Sequence, residues 1–190
     1  MGRNTSFELT EVLSQAMSLF WRLGYASTSM RLIEEVTGLN PGSLYHHFSN
    51  KKGLYKAVVE YYYTSILQPR LHHYRQSASP RDGLRLFFTT SYRHFPAKEY
   101  RGHCLLLLAI LEAEHECSLT PLFETYIAEL KYNFSAILNQ DSDLTDPDFS
   151  ADYLFECYLS LQFYACLNPS RKFLDSKVRL FFERLALLNG

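Results

Sequence analysis

Apolar side chains recur every three to four positions along most of the chain, and glycine and proline lie between these periodic stretches. This spacing is typical of α-helices with one buried face, and no useful length of strand-like alternation appears. In the first stretch, Val12, Ala16, Phe20 and Leu23 form one stripe, and a glycine follows where a C-terminal cap belongs. The pattern predicts an all-α protein of about nine helices.

The second predicted helix begins after Thr28, whose hydroxyl can accept from backbone N–H groups that lack partners in a first helical turn. Its apolar positions Met30, Ile33 and Val36 are expected to face inward. Gly38 should end this helix, because a tight reversal of the chain needs a residue in the left-handed conformation, which glycine adopts most easily.

The third predicted helix is short, Pro41 to about Phe48. Asn40 caps it, and proline suits the first helical position because the N–H that it lacks would have no partner there. Asn50 can cap a fourth helix that extends toward His73, which is too long for a small three-helix unit alone. The fourth helix therefore looks like a bridge to a second part of the molecule.

Five further periodic stretches follow this bridge, and an Asp-rich loop at residues 140–147 separates two of them. We expect an N-terminal helix-turn-helix domain in residues 1–50 and a helical bundle in residues 51–190. The later helices are predicted near Pro80–Phe95, Gly102–Cys117, Thr120–Asn139, Phe149–Leu167 and Ser170–Leu188.

Composition supports a folded protein, since 47% of the residues are hydrophobic and 21% are charged. The net charge is −1, but residues 1–56 carry +2 and the remainder carries −3. This asymmetry favours the N-terminal part as the side that meets an anionic partner, with chance scatter of surface charge as the alternative. The apolar run Cys104–Leu111 is too short to span a bilayer, no signal peptide is recognised, and no CxxC spacing occurs, so we expect a cytoplasmic protein with reduced thiols.

Two short helices joined by a tight turn can place the second helix in the major groove of DNA, although many helical proteins contain such corners. Hydroxyl and imidazole groups on an outward face suit phosphate oxygens and base edges. Lys51, in the first turn of the next helix, can hold a phosphate together with backbone N–H groups. With Leu44 and Phe48 turned inward, the outward positions are Gly42, Ser43, Tyr45, His46 and His47.

Several motifs follow one another closely here: Gly24-Tyr25, Thr28-Ser29-Met30, Ile33, Gly38-Leu39-Asn40, GSLYHHF at 42–48 and Asn50-Lys51. Together they resemble the signature of the TetR family of transcriptional regulators. The resemblance implies a homodimer that binds a palindromic operator in double-stranded DNA, with the third helix in the major groove. The positions that usually touch DNA in that family are Thr28, Ser29, Arg31, Gly42, Ser43, Tyr45, His46, His47 and Lys51. Lys52-Gly53 departs from the acidic residue that is common after the lysine, and we hypothesise that Gly53 loosens the first turn of the fourth helix.

By the same resemblance, the C-terminal part should dimerise through its last two helices and bind a small-molecule effector that releases a repressor from its operator. A ligand pocket would draw on positions of the central helices, namely Phe88, Tyr92, Leu108, Glu112, Tyr126 and Phe163. The dimer interface would use apolar positions of the last two helices, namely Leu154, Tyr158, Leu161, Phe181, Leu185 and Leu188, with packing inside the chain as the alternative.

Other functions remain open as alternatives. One alternative is an activator instead of a repressor, and another is a C-terminal half that binds a protein partner instead of a small molecule. A third is a redox-sensing regulator, if one of the four thiols is reactive, with buried structural thiols as the other interpretation. A metal-dependent helical enzyme would use Glu112-x-x-His115, but di-iron bundles need two such pairs and two more glutamates. We therefore expect no enzyme activity, no cofactor and no metal. The four thiols are Cys104, Cys117, Cys157 and Cys166.

Overall fold

The computed structural model describes residues 5–76, 79–93, 104–112, 120–167 and 169–188, with side chains from residue 9 onward. Within these ranges the secondary structure is entirely helical, which confirms the predicted all-α class. Nine helices are seen there, and α4 continues through a π-helical turn at Tyr63–Leu67. They are α1 (Thr5–Leu23), α2 (Met30–Thr37), α3 (Pro41–Phe48), α4 (Lys51–Tyr62, then Tyr63–Leu67 and Gln68–Arg75), α5 (Pro80–Ser91), α6 (Leu105–Glu112), α7 (Thr120–Leu138), α8 (Pro147–Cys166) and α9 (Arg171–Leu188).

Asparagine side chains mark the start of α3 and α4, as predicted. Oδ1 of Asn40 accepts from the N–H of Ser43 at 2.9 Å, and Oδ1 of Asn50 accepts from the N–H of Gly53 at 2.9 Å. Pro41 is the first residue of α3. Each cap satisfies a backbone donor that the first helical turn leaves without a partner, which is worth about 1 kcal/mol.

The start of α2 differs from the prediction by one residue. Oγ of Ser29 accepts from the N–H of Leu32 at 3.2 Å, so Ser29 is the N-cap. Thr28 is fully buried, and its hydroxyl donates to the carbonyl oxygen of Gly24 at 2.7 Å. The prediction that Thr28 caps α2 is wrong, because this hydroxyl is used inside the turn. Val36 is exposed and does not face inward, because it points about 120° away from Met30, which packs against the core, and Ile33 lies between the two.

Gly53 lies where α4 begins against the end of α3. A Cβ atom at this position would overlap with the carbonyl oxygen of Phe48. The two helices can therefore meet this closely only because residue 53 has no side chain. This finding replaces the idea that Gly53 loosens the turn, since the glycine permits a tight approach of two backbones.

The core of the larger part is built on aromatic rings. Phe87 and Phe88 of α5, Phe134 of α7 and Tyr158 of α8 are fully or almost fully buried. Their ring centroids lie 5.4 to 5.9 Å apart across the helices, in tilted and edge-to-face arrangements that aromatic pairs favour. The first half of α4 packs on α1, and its last segment packs on α5, so α4 joins the N-terminal helices to this core.

Candidate nucleic-acid interface

α3 turns a narrow face to the core and its remaining surface to solvent. Leu44 is fully buried and Phe48 is almost fully buried, so these two side chains anchor the helix. The rings of the two neighbouring histidines stand edge to face with centroids 5.5 Å apart. Among the predicted outward positions, Ser43 is half-buried and the others, Gly42, Tyr45, His46 and His47, are exposed.

The N-terminus of α2 provides two exposed polar groups beside this helix. Ser29 is exposed as well as capping α2. Arg31 is also exposed and pairs with Glu35 one turn later, at 3.2 Å. An exposed pair of this kind contributes little free energy, so the guanidinium can exchange the carboxylate for a phosphate. Thr28 is a correction to the predicted set, because its side chain is buried and holds the preceding turn instead of facing a partner.

Lys51 is seated on the turn between α1 and α2. Its Nζ atom lies 4.4 Å from the ring centroid of Tyr25, within the range of a cation–π interaction. The same ammonium donates to the carbonyl oxygen of Ala26 at 3.4 Å. These contacts bring the N-terminus of α4 to the turn that precedes α2. The sequence showed the lysine but not the role of Tyr25 in holding it.

Glu112, at the end of α6, lies against the N-terminal helices. Its Oε2 atom accepts from the N–H of Tyr25 at 3.0 Å and from the hydroxyl of Tyr55 at 2.9 Å. Burial raises the pKa of Tyr55 well above its ordinary value, and the adjacent carboxylate raises it further, so the phenol keeps its proton and donates. The carboxylate therefore joins α6 to α4 and to the α1–α2 turn by hydrogen bonds. Glu112 was predicted to contact a ligand, and the structure gives it this structural role instead.

An apolar groove of about 410 Å³ opens between α6 and α8. Phe163 is the one predicted ligand residue that lines it, and this side chain is 64% exposed. The other predicted positions do not share the groove. Phe88 and Leu108 are core residues, the hydroxyl of Tyr92 donates to Asp175 at 2.7 Å, and Tyr126 stacks on Tyr63 with centroids 4.4 Å apart. The groove lining includes Leu107, Ile110 and Leu111 of α6 and Leu159, Phe163 and Cys166 of α8.

The predicted dimer residues divide into two groups. Leu154, Tyr158, Leu161 and Leu185 are 1% exposed or less, so the chain's own core already covers them. This corrects the prediction for these four, because the stripe read from the sequence is the one that packs inward. Phe181 is half-buried and Leu188 is exposed. Further exposed apolar side chains on the same two helices are Phe149, Phe163, Phe173, Leu180 and Leu187.

The described thiols lie in environments that oppose reactivity. Burial raises the pKa of Cys157 to about 11 and also raises the pKa of Cys166, so both stay protonated at neutral pH. Cys104 is buried and its Sγ atom accepts from the hydroxyl of Tyr62 at 3.4 Å. Cys117 and His115 lie outside the described residues. Within the described ranges, no group of three or more His, Cys, Asp or Glu side chains could hold a metal ion, and no helix could cross a membrane.

α2 and α3, each with a side-chain cap at its N-terminus, form a helix-turn-helix unit in which α3 presents polar side chains to solvent. Comparison with known proteins agrees, because residues 12–58 match the family of bacterial regulatory proteins called tetR. The repressor ComR of Escherichia coli K12 is 43% identical over 61 residues, which are 32% of this chain but only 29% of ComR. YezE of Bacillus subtilis 168, an uncharacterized HTH-type regulator, is 27% identical over 173 residues, covering 87% of this chain and 89% of YezE.

Solved structures share the whole architecture. A cysteine-substituted form of the TetR-family regulator CifR, complexed with 26-base-pair operator DNA, superposes with a TM-score of 0.81 at 24% identity over 95% of this chain and 98% of that one. A TetR-family regulator from Cytophaga hutchinsonii gives 0.82 at 19% identity, over 98% and 97% of the two chains. The fold is thus the one that these regulators have. The sequence match to the tetR family lies in residues 12–58, the part of the chain that contains the helix-turn-helix unit.

Proposed function

We propose that the protein is a homodimeric repressor that binds a palindromic operator in double-stranded DNA and is released by a small-molecule effector. The observation that carries this proposal is α3, a short helix fixed by Leu44, Phe48 and the Asn40 cap, with its polar side chains presented to solvent. A helix of this kind fits the major groove, and residues 1–50 then form the DNA-binding head. The names of ComR, a repressor, and of CifR, complexed with operator DNA, support the proposal.

The DNA contacts fall into two classes. Short and polar side chains of α3 would read base edges, and groups at the N-termini of α2 and α4 would hold phosphates. Lys51 is suited to the second class because Tyr25 and Ala26 hold its ammonium beside the α1–α2 turn. The proposed contact set is Ser29, Arg31, Gly42, Ser43, Tyr45, His46, His47 and Lys51.

Residues 51–190 would provide the dimer interface and the effector site. The exposed apolar side chains of α8 and α9 are suited to pairing with a second copy. The groove between α6 and α8 has a volume within the usual range of small-molecule sites, and its apolar lining suits an uncharged apolar effector. Phe163 belongs to both surfaces, so an occupant of the groove would lie beside the interface and shift the population between two spacings of the heads.

Selection of bound DNA from genomic fragments with the purified full-length protein tests this proposal. We expect a palindromic site whose half-sites lie about 34–36 Å apart. Tyr45→Ala and Lys51→Ala should each weaken binding at least about tenfold. Loss of Lys51 should also reduce the slope of log affinity against log salt concentration by about one, because one phosphate contact is lost. Tyr132→Ala, which removes an exposed tyrosine of α7, is the matched control.

The proposal fails if no specific site emerges, or if both head variants bind as the wild type does. Ser43→Ala should change the preference at one base step, whereas a phosphate contact affects all sequences about equally. A reporter gene under the selected site distinguishes repression from activation, because removal of a repressor raises expression and removal of an activator lowers it. A protein that binds chromosomal sites would act in the cytoplasm.

A further inference from the structure

We infer that Glu112 is a positioning residue that sets the orientation of the DNA-binding head relative to α6. Its contacts with Tyr25 and Tyr55 are called the latch below. This inference rests on the proposed function, because it concerns how the operator-binding surface is held.

One carboxylate oxygen joins three separate segments in the latch. Oε2 of Glu112 receives the backbone N–H of Tyr25, 87 positions away in the chain, and the hydroxyl of Tyr55, 57 positions away. Tyr25 belongs to the α1–α2 turn and Tyr55 to α4. Hydrogen bonds to an ionised acceptor are stronger than those between neutral groups. Tyr25 lies in the head and Tyr55 in α4, which follows the head, so the carboxylate ties α6 both to the head and to the helix that carries it.

Packing holds both donors in place. The rings of Tyr25 and Tyr55 lie 4.8 Å apart, and Tyr55 lies at the same distance from Phe20 of α1. The ring of Phe123, from α7, meets Tyr55 edge to face at 6.3 Å. Tyr55 is buried, so water competes weakly for its hydroxyl. The latch is therefore a packed contact that joins α6 to the α1–α2 turn and to α4.

The latch leads directly to the proposed DNA surface. The N–H of Tyr25 bonds to Glu112, and the ring of the same residue carries the ammonium of Lys51. Displacement of Tyr25 would move the ring that the Lys51 ammonium contacts, and with it the turn that precedes the N-cap residue Ser29. Both heads of a dimer must dock at a fixed spacing. A head that rotates freely has to be ordered on binding, and the entropic cost of this ordering weakens the affinity for the operator.

The latch also leads to the proposed effector groove. Leu107, Ile110 and Leu111 of α6 line that groove, and Glu112 is the next residue on the same helix. An occupant that shifts α6 would move the carboxylate away from its two donors. The same short helix thus lines the groove and holds the head.

Operator binding by the full-length protein tests the latch, with the DNA site selected by the wild type as the probe. The latch variants are Glu112→Gln, Tyr55→Phe and the two combined. The controls are Glu124→Gln, an exposed glutamate of α7, and Tyr61→Phe, a half-buried tyrosine of α4. Emission of Trp21, the single tryptophan, which packs against Tyr62 at 5.2 Å, shows that each variant is folded.

We expect each latch variant to weaken binding about tenfold, a typical allosteric coupling. The free-energy loss of the double variant should be smaller than the sum of the two single losses, because both substitutions act on the same Tyr55–Glu112 hydrogen bond. The salt dependence should stay that of the wild type, in contrast to Lys51→Ala, because no phosphate contact is lost. Unchanged or tighter binding, or an equal loss in the controls, would overturn the inference.

Hydrogen exchange of the protein without DNA provides a second readout. The latch variants should speed amide exchange at Tyr25 and through α2 and α3, and should leave α7–α9 unchanged. A contact with only a local structural role would speed exchange at Tyr25 alone, and that result would overturn the inference. If the wild type selects no DNA site, the proposed function fails while exchange still decides the latch. If the wild type binds its operator and the latch variants bind equally well, the latch alone fails.

Discussion

α3 and α8 both expose aromatic side chains, but they bury very different numbers of residues. α3 has eight residues, of which two are buried, and an asparagine cap marks its start. α8 has 20 residues and buries nine of them across the centre of the larger part. A helix held by few contacts and a local cap keeps most of its surface available for a partner. Substitutions on α3 should therefore change binding, and substitutions in the buried face of α8 should change stability.

The largest effect is expected from Leu161→Ala in α8. Leu161 is fully buried, and its truncation removes apolar contacts and leaves a cavity, which should lower the free energy of unfolding by about 2–5 kcal/mol. Urea unfolding at a fixed protein concentration measures this loss. Leu187→Ala, on the exposed side of α9, is the control and should change stability little. If Leu161→Ala were as stable as the wild type, the burial of Leu161 in the core would be contradicted, and the predicted place of this residue in the dimer interface would stand again.

Gly53→Ala should have the next largest effect. The added methyl group overlaps with the carbonyl oxygen of Phe48, so α3 and α4 must separate, which we expect to destabilise the protein by about 1–3 kcal/mol. Thermal unfolding measures this effect. Gly42→Ala is the matched control, because a Cβ there meets the Oδ1 atom of the Asn40 side chain at 3.3 Å and no backbone atom. A stabilised Gly53→Ala protein would restore the idea that this glycine loosens the turn.

Asn40→Ala and Tyr45→Ala should separate stability from binding within α3 itself. Loss of the cap should lower the unfolding free energy by about 1 kcal/mol, because the N–H of Ser43 loses its acceptor. Tyr45→Ala should change stability by less than about 0.5 kcal/mol, since the side chain is exposed, and should still weaken operator binding. Denaturant unfolding and operator titration of the same samples check both. A large stability loss in Tyr45→Ala would contradict the separation.

The smallest effect concerns Cys157 in the buried face of α8. With a pKa of about 11, its thiol is almost entirely protonated at pH 7.5, so alkylation should be slow. The thiolate fraction rises about tenfold per pH unit until the pH approaches that pKa. Rates of iodoacetamide labelling between pH 7 and 9, located by mass spectrometry, test this expectation. Fast labelling of Cys157 at pH 7 would show a reactive thiol and would support the alternative of a redox-sensing regulator.

Local signals account for what could be predicted in the head. Asn40 and Asn50 each bond a backbone N–H three positions later, so residue type and spacing alone identify the start of α3 and α4. Thr28 and Ser29 show the limit of such signals. Both are good cap residues, and the choice between them depended on which hydroxyl the packing of α1 and α2 buried. The buried hydroxyl then had to find its acceptor inside the turn.

Helical periodicity is less informative for α8 and α9, because both sides of these helices carry apolar residues. The pattern identified Leu154, Leu161 and Leu185 as apolar positions but not the surface that would cover them. The structure packs them against the chain's own core and leaves Phe163 and Leu187 outside. Sequence spacing cannot separate an inner stripe from an outer one when both are apolar.

The sequence by itself determined the all-α class, the extent of α3 and the resemblance of residues 12–58 to the tetR family, because these depend on residues close together in the chain. Tertiary structure alone decided the role of Glu112, whose two donors are 87 and 57 positions distant. It also decided that Gly53 permits a close backbone approach, since the opposing carbonyl group becomes visible only when α3 and α4 are packed together. Capping acts over three residues, whereas burial and long-range hydrogen bonds depend on which segments the fold brings into contact.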